Sequence, residues 1–232
     1  MQQPAPTIID SVRSLMPMRT LYILARPLTE VEARIVAERQ VAKLLELLGI
    51  TKPSVEIELI AELPNISVEV LPNLPLSGLS EWVRNHWHIR INADDSLWRC
   101  RSTLAHELKH ILDDPFREEL YPNWPRESTL PPPERAEEIC DYFAGCVLAP
   151  TAWLRSAWQQ GTRNAAKLAS LFDVSEALMR VRLYQTGLAT RRLRGYPRRA
   201  YTRSAAALVR AARKRLTHER TKHHLVGLQP CV

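Results

Sequence analysis

Apolar residues recur at helical spacing in three stretches of the chain. Residues 28–48 carry apolar side chains every three or four positions, which predicts a long amphipathic helix. The same spacing predicts a helix from about 96 to 112, ending before Pro115, and another over 134–148, which Pro150 closes.

Shorter apolar runs predict a small sheet. Residues 66–71 alternate well enough for a strand, and residues 79–83 and 87–91 indicate two strands joined by a tight turn at Arg84-Asn85-His86. Residues 55–63 favour a short helix, with a strand as the competing interpretation. The pattern therefore mixes helices with a few strands.

The remaining segments have weaker patterns. Residues 1–20 show no periodicity and predict a flexible extension, whereas residues 115–133, rich in proline and charge, predict a long loop. Small helices are expected over 151–185, and a basic tail follows Gly187. Within this tail, residues 204–216 have the spacing of an amphipathic helix.

Charge divides the chain into two parts. Residues 190–232 contain 12 Lys or Arg and one acidic residue, Glu219, for a net charge of +11. The preceding residues contain 20 basic and 24 acidic side chains, for a net charge of −4. The sequence thus combines a slightly acidic body with a basic tail, and the two parts invite separate interpretation.

Composition favours a cytoplasmic protein without a membrane anchor. No apolar run approaches the roughly 18 residues that a membrane span needs. The first 19 residues contain Asp10 and three prolines, so they lack the core of a signal peptide. The four cysteines form no CxxC pair and no secreted-type framework, which favours reduced thiols.

The predicted helix over 96–112 carries the motif His106-Glu107-Leu108-Lys109-His110 within an apolar frame. Side chains four residues apart lie on one face of a helix, so His106 and His110 can coordinate one tetrahedral zinc ion. Glu107 projects beside them, where a carboxylate can take a proton from a metal-bound water. The pattern predicts a zinc site with Glu107 as the catalytic base.

A catalytic zinc site needs a third protein ligand, and the helix over 134–148 offers Glu137 and Asp141 on one face. Glu137 is the predicted ligand, and Asp141 is predicted to accept the free ring N–H of a ligand histidine. Glu138 is the rival ligand, although it points about 100° away from Glu137 around the helix.

Two segments resemble the active-site helices of the ImmA/IrrE family of metallopeptidases. They are residues 103–112 (TLAHELKHIL) and 137–150 (EEICDYFAGCVLAP). That family's second helix carries Asn or Asp, then Phe-Ala, and a Leu-x-Pro stop, and the matching residues here are Asp141, Phe143, Ala144, Leu148 and Pro150. Residues 77–92 resemble the family's strand pair, and the resemblance covers about residues 28–188.

The resemblance implies an α+β, zincin-like core with a small antiparallel or mixed sheet and two active-site helices, in which Glu137 is the ligand of the glutamate-zincin type. The sequence departs from the family at Lys109, a place usually small or uncharged, and at Ile139-Cys140, where Glu-Ala is more usual. We expect Lys109 to reach outward to solvent. Cys140 is expected to be a core residue.

The expected organisation has four parts, which are a flexible extension (1–20), a zinc peptidase domain (21–155), a helical element (156–189) and the basic tail (190–232). The resemblance implies one Zn²⁺ per chain and a substrate that is a helix-turn-helix repressor, cleaved to derepress stress-response or mobile-element genes. The alternatives are a DNA- or repressor-binding regulator without proteolysis and a general small-peptide peptidase. Candidates for the oxyanion stabiliser are His86, His88, Tyr121 and Tyr142, although structural roles are favoured for each.

Residues 164–185 have helix-turn-helix spacing, with Ala169 in the first helix, the turn at Asp173 and Met179 in the second helix. Aspartate tolerates the left-handed backbone that such a turn requires. The candidate nucleic-acid or partner contacts are Arg180, Arg182, Arg191, Arg192 and Arg194. The interpretation that competes with DNA binding is a helical appendage packed on the peptidase. The tail favours either non-specific phosphate contact or a solubilising role.

Overall fold

A computed structural model of the chain describes residues 6–23, 25–122 and 132–189. These residues form three consecutive strands and eight α-helices, two before the strands and six after them, so the predicted α+β class is confirmed. The strands are β1 (Ile66–Leu71), β2 (Gly78–Val83) and β3 (His86–Asn92). The helices are α1 (Ile8–Arg13), α2 (Glu30–Leu47), α3 (Leu97–Asp113), α4 (Arg117–Leu120), α5 (Glu134–Leu148), α6 (Thr151–Gln159), α7 (Ala165–Phe172) and α8 (Glu176–Gln185).

The sheet is mixed, with strand order β1-β3-β2. Strand β1 runs parallel to β3, and β2 runs antiparallel to it as the second arm of a hairpin. Arg84 and Asn85 at the hairpin turn have φ of 51° and 60°. Two successive residues with positive φ form the type I′ turn that matches the twist of a two-residue hairpin. The predicted strands and turn are confirmed, and β2 lies at an edge of the sheet.

One face of the sheet packs against α3, which in turn packs against α5. Ile89 and Ile91 of β3, Leu108 and Ile111 of α3, and Phe143 of α5 are buried in one core cluster. The Ser96 side chain caps α3 by accepting a hydrogen bond from the Arg99 backbone N–H. The central position of α3 explains why so much of it is buried.

The prediction of a flexible extension is wrong for residues 8–13. Thr7 and Asp10 form a capping box that starts α1, and Ile9 and Val12 are buried against α2 and α3. The Arg13 guanidinium also donates to the carbonyl of Ile111 at 2.7 Å. A helix of six residues is too short for apolar periodicity to be recognised.

Two predicted segments contain 3-10 structure. Within the 55–63 stretch, residues Ile57–Glu62 form a short helix of the 3-10 type, so the helix prediction is confirmed and the strand interpretation is wrong. The predicted loop over 115–133 begins with a 3-10 turn (Asp114–Phe116) and α4. Residues 123–131 of that loop lie outside the described residues.

The expectation that Lys109 reaches solvent is wrong. Its side chain is buried, and the ammonium donates to Asp113 Oδ1 at 2.5 Å and to Gln40 Oε1 at 3.0 Å. Asp113 Oδ2 in turn accepts from the Tyr121 hydroxyl at 3.1 Å. A buried charge requires such partners, and the network ties α3 to α2 behind the metal-facing side.

The helix-turn-helix prediction is confirmed at the level of secondary structure. Asp173 separates α7 from α8 with φ of 51°, the left-handed conformation expected there. Asp173 also contacts α3. The Arg101 guanidinium donates to the backbone carbonyl of Asp173 at 2.7 Å and pairs with the Asp173 carboxylate. Trp98 Nε1 donates to the same carboxylate at 3.1 Å. The element is thus packed on α3, as the appendage interpretation expects.

The expected domain boundaries at 20/21 and 189/190 stay predictions. The boundary expected between residues 155 and 156 falls inside α6. The predicted tail over 190–232, including its amphipathic helix, lies outside the described residues.

We expect Lys109→Met to lower the free energy of unfolding by about 3–5 kcal/mol, because it leaves the buried Asp113 carboxylate without its cation. Urea unfolding measures the change. The matched control is Lys43→Met in the more exposed Lys43–Glu46 pair, which should cost about 0–1 kcal/mol. Equal effects at the two lysines would contradict the assignment of a buried pair. The double variant Lys109→Met/Asp113→Leu should recover most of the loss.

Candidate metal centre

The side chains predicted for the site lie where α3 faces α5. His106 is 1% exposed, and Glu107 and Glu137 are also buried, whereas His110 is partly open to solvent. The i, i+4 spacing places both imidazoles on one side of α3. The packing of α5 brings Glu137 against that side, so the site has three enclosed polar groups and one accessible edge.

Two imidazole nitrogens and the two oxygens of one carboxylate form a triangle of donor groups. The distance between the His106 and His110 Nε2 atoms is 3.1 Å. Glu137 Oε1 lies 3.2 Å from His110 Nε2, and Glu137 Oε2 lies 3.4 Å from His106 Nε2. With metal–ligand distances of about 2.0–2.2 Å, the edges of a tetrahedral zinc site are about 3.3–3.6 Å long, close to the separations seen here. The donor types and their spacing therefore fit such an ion.

Asp141 holds the opposite side of the His106 ring. Its Oδ1 atom lies 2.8 Å from His106 Nδ1, which fits an Nδ1–H donor. With the proton on Nδ1, Nε2 presents its lone pair to the triangle. A carboxylate behind a metal-binding imidazole fixes the tautomer and raises the basicity of the ligand. The structure thus brings Asp141 to the position predicted for it.

The charge state of Glu137 also suits a ligand. Burial raises the pKa of its carboxyl group, but the hydrogen bonds and charges of His106 and His110 outweigh burial and hold the pKa well below its usual range. The group is therefore a carboxylate at neutral pH, the form that binds a cation.

Cys140 lies beside His110, a neighbour that sequence reasoning missed. Its Sγ atom is 3.5 Å from His110 Nδ1, the ring nitrogen remote from the triangle. His106, His110 and Cys140 offer ligand atoms within 4.8 Å of one another, so the three also form a possible metal-binding group. We favour Glu137 as the third ligand because its carboxylate approaches Nε2 of both rings, whereas Cys140 lies behind one of them. Its place three residues after Glu137 was the signal in the sequence.

Glu107 is positioned by the edge strand of the sheet. Its Oε2 atom accepts a hydrogen bond of 3.0 Å from Ser80 Oγ of β2. Close approach of β2 to α3 depends on Gly78, where a Cβ atom would lie only 2.4 Å from Thr103 Cγ2 and 3.6 Å from Glu107 Cγ. Ser80 was not predicted, because no local pattern links it to a residue 27 positions away.

The arginines predicted to contact nucleic acid have different surroundings. Arg182 is 1% exposed, and it donates to the Ala149 carbonyl and to Thr151 Oγ1 at 3.2 and 3.0 Å. The prediction is therefore wrong for Arg182, because its guanidinium stabilises the packing of α8 on α5. Arg180 is exposed and pairs with Glu176 on the same helix. Three further candidates lie outside the described residues, namely Arg191, Arg192 and Arg194.

The four candidates for an oxyanion stabiliser have partners elsewhere. The His88 Nδ1 atom lies 2.8 Å from Ser67 Oγ, and the His86 ring packs on the His88 ring. The hydroxyl groups of Tyr121 and Tyr142 donate to Asp113 and Glu38. These contacts support the structural roles that were favoured from the sequence.

A small mixed sheet, with a histidine pair on one helix and a carboxylate on the next, defines the class as a zincin-like α+β domain. Comparison with family models matches residues 64–184 to Peptidase_M78, the IrrE N-terminal-like domain. The match spans just over half of the chain, and the chain belongs to this family. The predicted resemblance is confirmed, and membership identifies a metallopeptidase or a regulator of the IrrE type.

Among solved structures, the chain is similar to a Mycobacterium tuberculosis transcriptional regulator, with 22% sequence identity and a TM-score of 0.48. The similarity covers 83% of this chain and 55% of that protein, so the chain spans about half of its length. A search of curated proteins found no match. None of the helices in the described part of the chain is long and apolar enough to cross a membrane.

We expect Asp141→Ala to weaken binding of a divalent metal ion by about 10- to 100-fold, because His106 loses the partner that fixes its tautomer. Competition with a zinc-responsive chelator measures the affinity. The control is Glu138→Ala, which removes an exposed carboxylate from another side of the same helix. If Glu138→Ala weakened metal binding as much as Asp141→Ala, the contact between Asp141 and His106 would not be what stabilises the bound metal.

Proposed function

We propose that this chain is a zinc endopeptidase in which His106, His110 and Glu137 hold one zinc ion. The convergence of these three groups within 3.1–3.4 Å carries the proposal. Bound zinc would supply Lewis acidity, which polarises a peptide carbonyl and acidifies a water molecule. The partial exposure of His110 supports access of both the peptide and the water molecule to this site.

Glu107 would act as the general base and then as the general acid. Its carboxylate takes a proton from the attacking water as the oxygen bonds to the scissile carbonyl carbon, and later delivers that proton to the leaving amine as the C–N bond breaks. The hydrogen bond from Ser80 holds one carboxylate oxygen, which leaves the other to receive the proton. Burial of Glu107 strengthens these interactions by excluding water.

The free edge of β2 supports binding of an extended peptide. Among the described strands, β2 pairs with β3 on one side only, and Ser80 of this strand contacts Glu107. A peptide that added to this edge would run past the base with its backbone hydrogen-bonded to β2. The arrangement thus favours cleavage of an unfolded or locally extended segment.

We propose a helix-turn-helix repressor as the substrate, on the strength of the family. Such a repressor binds DNA. The basic tail over 190–232, with its net charge of +11, supports salt-dependent contact with the same nucleic acid. The second candidate is a regulator that binds its partner without cutting it. The presence of a helix-turn-helix element, α7 with α8, favours this alternative.

Glu107→Gln should keep bound zinc but lower the rate of cleavage by at least about 100-fold, because the amide cannot accept the proton. Wild-type and variant chains would be expressed with candidate helix-turn-helix repressors from the same organism, and new protein termini would be mapped across the proteome. Metal analysis checks that zinc remains. Equal relief of repression by both forms, without cleavage, would support the regulator instead, and many unrelated cleaved proteins would indicate a general peptidase.

Ser80→Ala should lower kcat about 10-fold with little change in KM, because Glu107 loses the hydrogen bond that orients it. The assay is cleavage of the substrate found in the preceding experiment. Ser67→Ala is the matched control, since this strand serine contacts His88 instead of Glu107. An unchanged kcat in Ser80→Ala would show that the hydroxyl does not position the base.

A further inference from the structure

The edge strand presents a row of side chains toward the site. Successive residues of a strand point to opposite faces, so Gly78, Ser80 and Trp82 share one face of β2. Ser80 is paired with Ile89, a fully buried residue, which shows that this face is directed at the core and α3. The two side chains on this face, those of Ser80 and Trp82, are uncharged.

Trp82 lies at the exposed end of this row. It pairs across the hairpin with Trp87, and the two ring centroids are 5.3 Å apart with an interplanar angle of 54°. Trp87 packs against the core, whereas Trp82 is 52% exposed. The fold therefore holds a large aromatic surface in place without burying it.

The position of Trp82 relative to Glu107 gives this surface a role. Trp82 is two residues beyond Ser80 on the same face, a separation of about 6.8 Å along a strand. Ser80 itself contacts the Glu107 carboxylate. In an extended peptide bound along the β2 edge, side chains on one face also recur every two residues. A peptide side chain near Ser80 therefore places the side chain two residues further along near Trp82.

We propose that Trp82 and Trp87 form an aromatic platform that selects an aromatic or large aliphatic side chain in the bound peptide. The selected residue lies two positions from the one beside Ser80, on the Trp82 side. The inference rests on the proposed function in so far as the peptide runs along β2, but it does not depend on cleavage. Apolar contact and ring stacking with the platform supply the selectivity.

The test is selection of a random peptide library on the full-length, zinc-loaded Glu107→Gln chain, which cannot destroy the peptides. Bound sequences should be enriched in aromatic residues, Leu or Ile at one fixed position. Adding Trp82→Ala should abolish that enrichment and weaken the selected peptides about 10-fold, while Trp82→Phe should retain most of both. Thermal unfolding confirms that the variants fold.

The matched control is Trp98→Ala, which removes another half-exposed tryptophan, 48% exposed, from the first turn of α3. It should leave the enrichment unchanged. No enrichment on the parent chain, equal enrichment with Trp82→Ala, or equal loss with Trp98→Ala would each overturn the platform. Cleavage by wild type with failure of this selection would overturn the platform alone, and absence of cleavage with successful selection would overturn only the proposed peptidase.

Discussion

The packing of α3 against α5 is the contact on which the rest of the structure depends. It encloses two imidazoles and a carboxylate, groups that are costly to bury unless they find partners. In this site each finds the others within 3.1–3.4 Å, and Asp141 and Cys140 contact the outer nitrogens of the two rings. A cation between the two Nε2 atoms and the Glu137 carboxylate would neutralise the carboxylate and satisfy both rings at once.

The sheet completes the site from the other side. Gly78 lets β2 approach α3 so closely that Ser80 reaches Glu107, and the same strand then presents Trp82 to solvent. Strand, base and aromatic surface are therefore fixed relative to one another by one backbone contact. This arrangement links the chemistry proposed at Glu107 to the selection proposed at the platform.

The C-terminal helices are joined to the same two helices of the site. Asp173 at the turn binds Arg101 and Trp98 of α3, and Arg182 of α8 packs over Gly145 of α5 and donates to the Ala149 carbonyl. Two anchors on two site helices oppose independent movement of the element. A partner bound to α7 or α8 would consequently be held at a defined place relative to the metal centre.

Local sequence patterns predicted the long helices, the hairpin and five candidate residues of the site, namely His106, Glu107, His110, Glu137 and Asp141. Helical spacing places His106 with His110 and Glu137 with Asp141, because residues four apart share a face whatever the tertiary fold. The residues that contact these side chains from other elements depend on tertiary packing. The contacts of Ser80, Cys140 and Lys109 join different elements or depend on burial, and Arg182 is enclosed by α5 although its local sequence suits an exposed face. Such contacts arise from how helices and strands pack, which no local periodicity encodes.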